Sequence, residues 1–136
     1  MKDKKPVKVA SVMRSHYVVV DGKDTVAEAL TRMKEADAAI AIVSKRNDDD
    51  AIGLVLLADI AKQVLARDRS PLRINVYEIM AKPVITVAPD MDIRYCARLF
   101  ENFGLSSAPV VQDGDVIGVV SYTELVLEGL WPDELG

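Results

Sequence analysis

Shifted by 67 residues, the chain lies on itself. Val12-Met13 falls on Ile79-Met80, Val20 on Val87, Val26 on Ile93, Ala29 on Cys96, Met33 on Phe100, Ala41 on Ala108 and Val43 on Val110. Past a polar stretch the offset falls to 65, pairing Ile52-Gly53 with Ile117-Gly118, Val55 with Val120 and Asp59 with Glu124. Identity is low, but apolar character agrees at nearly every matched position, so the fold must be one that two copies of a single unit can build. The change of offset falls in a polar hairpin, where an insertion costs least.

Each copy spells the same order of elements. A short helical turn (7–13; 76–80) leads to a first strand (17–20; 84–87) and then a helix. In the first copy this helix opens near Asp24-Thr25 and carries Val26, Ala29, Leu30 and Met33 at the spacing of one helical face. In the second, Asp90 or Asp92 supplies the cap, Ile93, Ala97 and Phe100 the apolar face, and Gly104 the left-handed residue just past the end. Two strands joined by a hairpin follow: 39–43 and 52–57 around the acidic loop Asn47 to Asp50, then 108–111 and 116–120 around Asp113-Gly114, a strong hairpin signal. A last helix (58–67; 123–130) closes each copy, and the polar, proline-broken segment from Asp68 to Arg73 connects them.

The order β-α-β-β-α, twice, predicts an α+β fold with a mixed sheet in each copy. Strands such as Ile40 to Val43 are apolar on both faces and need cover on both sides. Two repeats packed face to face about a pseudo-twofold axis would provide it. With 136 residues, one compact body is expected. Half the residues are apolar but only 5% are aromatic, so its core must be aliphatic.

The same composition excludes several function classes. A net charge of −4 with interspersed signs argues against a nucleic-acid surface. A lone cysteine, Cys96, forbids an intrachain disulfide, and one Cys with one His makes an all-protein zinc site a poor reading. No apolar run approaches the ~20 residues that span a bilayer. The start, Met1 to Pro6, is charged and lacks the apolar stretch of a secretory signal, so a cytoplasmic protein without membrane contact is expected.

Chemistry concentrates where the last strand of each copy turns into its last helix. In the second copy Gly118-Val119-Val120 is followed by Ser121 and, three residues on, Glu124. A hydroxyl beside a helix N-terminus meets unpaired N–H groups and the positive end of the helix dipole, a natural phosphate seat. A carboxylate in the first turn can accept from a vicinal diol. The competing reading is an ordinary capping box, for which Ser-x-x-Glu is also the pattern. The first copy has Asp59 at the acidic position but Leu56 in place of the hydroxyl.

These residues, in this order and twice over, resemble a tandem pair of CBS (cystathionine β-synthase) domains across about Val7 to Leu130. The likeness is carried by Ile79-Met80 with Pro83-Val84-Ile85-Thr86-Val87, by Ser107-Ala108-Pro109-Val110-Val111, and by Val116 to Ser121. It divides the chain into repeat 1 (7–67), a linker (68–75) and repeat 2 (76–130), forming one module. It also implies binding of an adenosine-containing ligand between the repeats. AMP, ADP or ATP stand ahead of S-adenosylmethionine or NAD.

By that resemblance Ser121 contacts phosphate and Glu124, where the family has Asp, the ribose. Val84, Ile85, Thr86, Ala108 and Pro109 would wall the adenine. A weaker second site would use Asp59, Tyr17, Val18 and Gly53, and Arg14 and Lys82 are the nearest candidates to neutralise phosphate. A homodimer is implied as well.

No catalytic constellation, required cofactor or metal-ligand cluster is visible. The leading expectation is therefore a regulatory nucleotide sensor, not an enzyme, acting through an effector protein. A protein-interaction module without a nucleotide is the alternative, and a small enzyme ranks third. His16 reads as a strand-end residue, Cys96 as a buried structural thiol, and Asp48-Asp49-Asp50 as a solvated loop. Trp131 reads as a residue packing back on the body or marking a partner surface.

Overall fold

The computed structural model describes residues 6–130; Trp131 and the charged start at Met1 to Lys5 lie outside them. The chain divides into two compact units. The amino-terminal unit is His16–Val84, and the carboxy-terminal unit joins the described residues up to Ser15 to those from Ile85 onward. The leading segment of the chain therefore packs with the second repeat, and the segment that leads into the second repeat packs with the first.

In the amino-terminal unit β1 (Val18–Val20) pairs in parallel with β2 (Ile40–Val43), which pairs antiparallel with β3 (Gly53–Leu56). The parallel crossover needs a helix, and the sequence supplies it. In the carboxy-terminal unit, numbering on in chain order, β4 (Ser107–Gln112) and β5 (Asp115–Ser121) form an antiparallel pair with a bulge at Val110/Val111. Asp113 (φ 53) and Gly114 (φ 83) turn this hairpin with two positive φ angles, as a tight two-residue loop requires.

The expected strand over 84–87 does not form. Only Val87 bridges, donating to the Pro109 carbonyl (3.0 Å) and accepting from Val111 (2.9 Å). Pro83 and Pro89 flank the segment and bring no N–H to a ladder.

α1 (Val9–Val12) is one short turn. α2 (Val26–Ala36) starts where Thr25 Oγ1 accepts the Glu28 N–H (3.1 Å) and buries Val26, Ala29 and Met33. α4 (Ile93–Phe103) starts on Asp92, whose carboxylate accepts from the Arg94 N–H (2.8 Å), and ends on Gly104 at φ 65. The Arg94 side chain and N–H together hold the Asp92 carboxyl down at about 2. Ile93, Cys96 and Phe100 are buried along this helix, and burial pushes the Cys96 thiol up to about 11, a structural thiol as its surroundings predicted.

The last helix of each repeat departs from regular α geometry. α3 (Leu57–Ile60) runs into a π-helical stretch, Ala61–Leu65, marked by the Ala66 N–H bonding back five residues to Ala61. Glu124–Glu128 is π-helical in the same way.

Each unit has its own aliphatic core. Val20, Val26, Met33, Val43, Val55 and Val76 are central to one, and Val9, Val87, Cys96, Phe100, Val110 and Val120 to the other. The segments that lead into the repeats dock on the last strands by single antiparallel bridges. Arg14 and Val119 exchange both backbone bonds (2.9 and 2.8 Å), as do Leu54 and Ala81 (3.0 and 2.9 Å). The strand glycines make room for this. A Cβ on Gly118 would lie 2.9 Å from Met13 Sδ and 3.1 Å from the Arg14 carbonyl, and one on Gly53 would lie 2.7 Å from Met80 Sδ.

Candidate functional site

The corner after β5 is built by a strand that ends at Ser121 and a helical turn that starts one residue later. The Glu124 carboxylate folds back over this turn. Its Oε1 accepts from the Ser121 backbone N–H at 2.8 Å and from the Ser121 hydroxyl at 2.7 Å. Its Oε2 stands 3.6 Å from Arg14 Nε, and Arg14 Nη2 is the same distance from Glu128. Glu124 is buried, with 8% of its surface exposed, so these donors stand around its carboxylate where water otherwise would. Half of a capping box is made in this way, since the carboxylate caps the backbone while the hydroxyl donates to the carboxylate.

Arg14 reaches this corner because its backbone is clamped to Val119, two residues before Ser121. An arginine from the start of the chain thus stands beside the carboxylate. Its present partners are Glu124 and Glu128. Ala108 and Pro109 are buried in β4, paired with Val120 and Val119, while Ile85 and Thr86 are exposed. Val84 falls in the amino-terminal unit.

The corresponding corner of the amino-terminal unit has half of this arrangement. Asp59 Oδ2 accepts the Leu56 N–H at 2.8 Å, and no hydroxyl is present. Val18 and Leu56 lie at the same end of their sheet, since Val18 pairs with Ala41 and Ile40 with Leu56. Gly53 does not join them. It pairs with Val43 at the far end of β3, about 10 Å along the strand at ~3.3 Å per residue, against Met80.

Lys82 is held by Asp50, with its ammonium 2.7 Å from Oδ1. Arg46 holds the same carboxylate at 3.0 Å, and the two cations keep Asp50 well below the usual carboxylate range. Asp48 and Asp49 are exposed, but Asp50 is not the third solvated acid of the loop, because its side chain is drawn in between these two cations. His16, just before β1, is exposed and its Nε2 lies 2.6 Å from the Asp37 carbonyl. Among the described residues no group of three or more His, Cys, Asp or Glu could hold a metal ion, and no helix is long and apolar enough to cross a membrane.

Comparison with known proteins agrees with this architecture. The CBS domain family matches residues 9–66 and 76–129. An uncharacterized protein of Methanopyrus kandleri is 28% identical over 122 residues, covering 88% of this chain and 61% of the relative. The chain spans about three-fifths of the length of the curated relatives it matches first.

Among solved structures, a hexameric CBS-CP12 protein from bloom-forming cyanobacteria superposes with a TM-score of 0.87 at 34% identity, over 90% of this chain and 70% of that one. A CBS domain protein of Pyrobaculum aerophilum complexed with AMP superposes with a TM-score of 0.79 at 21% identity, over 95% and 98% of the two chains. With both repeats matched in sequence and the fold matched in space, the chain belongs to the CBS domain family and carries two CBS domains in tandem.

Proposed function

We propose that this domain pair is a regulatory module that binds an adenosine-containing ligand of the AMP, ADP or ATP class and passes the change to a partner protein. The observation that carries this reading is the corner of Ser121, Glu124 and Arg14, where a hydroxyl, a buried carboxylate and a cation meet at the start of a helical turn. The carboxylate keeps lone pairs for a ribose diol, and Arg14 offers charge to a phosphate. The AMP complex of the Pyrobaculum protein supports the ligand class. In this reading Ile85, Thr86, Ala108 and Pro109, which belong to the same unit as the corner, wall the adenine. No chemistry is performed on the ligand. Its output is a shift in population between arrangements of the protein.

Thermal unfolding against AMP, ADP, ATP and S-adenosylmethionine tests the reading. At ~100 times the dissociation constant, a bound nucleotide adds about 2.7 kcal/mol of stability. Ser121→Ala should reduce that response. If none of the four raises the melting temperature, the sensor reading is wrong. If Ser121→Ala leaves a real response intact, the corner is not the site.

A second copy of the chain is the expected neighbour. Tyr95 (63% exposed) and Phe103 (61%) on α4, with Leu127 (63%) on the last helical stretch, leave large apolar side chains in water within one unit. Their burial in an isologous contact would form a homodimer. Sedimentation equilibrium should then report twice the chain mass, and Leu127→Glu should return the protein to monomers. A wild-type protein that stays monomeric at micromolar concentration would contradict this.

A further inference from the structure

The amino-terminal unit holds a cavity of about 480 Å³ lined by Gly22, Val43, Ser44, Tyr77 and Met80, with Lys23, Arg46 and Lys82 among its walls. It lies where β1 and β2 end, at the opposite end of the sheet from Asp59. The volume is that of a small-molecule site. Three cations line or border it against two carboxylates, Asp21 in the lining and Asp50 behind Arg46 and Lys82.

Asp50 holds its two cations in place without exhausting them. Arg46 uses its Nε and backbone N–H on Asp50, and among the described residues its Nη groups have no partner. Lys23 forms no ion pair with a described residue.

The repeat indicates that this charge is not a by-product of the fold. In the carboxy-terminal unit the matched positions keep two of the three apolar walls, with Val110 for Val43 and Met13 for Met80, while Ala10 stands for Tyr77. All three cations disappear: Asp90 stands for Lys23, Asp113 for Arg46 and Ser15 for Lys82. The hairpin that is two residues longer in the first repeat carries Arg46 and Asp50, and the second repeat closes the same place with the tight Asp113-Gly114 turn.

We infer that this cavity is a second ligand site, specific to the first repeat, for a phosphate monoester with an apolar or planar body. Lys23, Arg46 and Lys82 take the phosphate, and Tyr77, Met80 and Val43 take the body. Guanidinium and ammonium groups converging on one opening are the donor set a dianionic phosphate calls for. The inference goes beyond the function proposed above, and the cavity shares no residue with the Ser121 corner.

Amide chemical shifts of the full chain, followed during additions of AMP, adenosine and inorganic phosphate, test it. AMP should saturably shift Gly22, Ser44 and Tyr77, phosphate should shift the same amides more weakly, and adenosine at equal concentration should leave them in place. Lys23→Asp and Lys82→Ser, which install the other repeat's residues, should each weaken AMP at these amides about tenfold or more. Lys82→Ser also frees Asp50, so Lys23→Asp, an exposed change, keeps the test independent of hairpin folding. Ser121→Ala should leave these shifts unchanged, which separates this cavity from the corner. No saturable shift, a shift from adenosine equal to that from AMP, or full AMP affinity in Lys23→Asp would each overturn the inference.

Discussion

Replacing Phe100 with alanine is expected to lower the free energy of unfolding by about 3–5 kcal/mol, a large share of the total for a protein of this size. Phe100 is fully buried from the middle of α4, in a cluster that takes Val9 and Val12 from the start of the chain, Val87 from the bridge, Val110 and Val120 from the sheet and Leu125 from the last helical stretch. Elements of every part of the unit therefore lose a shared partner at once. The cavity left behind cannot close without moving a strand. The Phe100 and Tyr122 rings also meet in a T-shaped pair, with centroids 5.3 Å apart at 82°, and Tyr122 lies in sequence between Ser121 and Glu124 of the corner. Removing the ring should thus loosen the corner as well as the core. Urea unfolding measures the first effect as a fall in midpoint with little change in slope. Phe100→Met should cost much less, because Met33 fills the same place in the other repeat. A loss below about 1 kcal/mol in Phe100→Ala would mean that the two halves of this core do not unfold together.

Much of this arrangement was legible in the chain because it is enforced locally. Thr25 and Asp92 cap their helices, Gly104 ends one in the left-handed region, and Asp113-Gly114 turns a hairpin, each by rules that act over a few residues. The β-α-β-β order of the first repeat followed from periodicity, as did the helix and hairpin of the second, and the resemblance built on that order named the family. What escaped the reading is non-local. A single bridge between Arg14 and Val119 leaves no periodic trace, so nothing in the order of elements says that the first segment joins the second repeat. The signal, if one is sought, is a methionine five to seven residues into each repeat paired with a strand glycine that can admit it, Met13 with Gly118 and Met80 with Gly53. The π-helical turns widen a helix over five residues without disturbing which side chains are apolar.

At the candidate site the spacing of Ser121 and Glu124 was readable, but spacing does not tell whether a carboxylate faces outward or folds back on its own turn. The cations of the cavity are scattered at 23, 46 and 82, and only their disappearance from the second repeat sets them apart.

Glu124 is the residue whose replacement should change ligand binding most, and in opposite directions for two substitutions. The hydroxyl of Ser121 has one hydrogen, and at 2.7 Å it points to Glu124 Oε1, so a phosphate must win it from that carboxylate and binds more weakly for it. Glu124 also draws Arg14 to its other oxygen at 3.6 Å. The longer acidic side chain thus engages both groups that a phosphate would use. An aspartate at this position should behave as Asp59 does in the other repeat, where the shorter arm caps the Leu56 backbone N–H at 2.8 Å. Glu124→Asp is then expected to release the Ser121 hydroxyl and Arg14, and to tighten AMP binding about tenfold, the worth of one recovered charge-assisted bond.

Glu124→Ala removes the acceptor for two donors at a part-buried corner. It should destabilise the protein by about 2 kcal/mol and abolish the AMP response, because no carboxylate remains for the ribose. Titration calorimetry with AMP on both variants, beside urea unfolding of each, separates binding from folding. If Glu124→Asp binds AMP more weakly than the natural protein, the carboxylate does not compete with the ligand for Ser121, and the longer side chain is itself the better ribose acceptor. If Glu124→Ala keeps full affinity while losing stability, Glu124 is a cap alone and the nucleotide lies elsewhere.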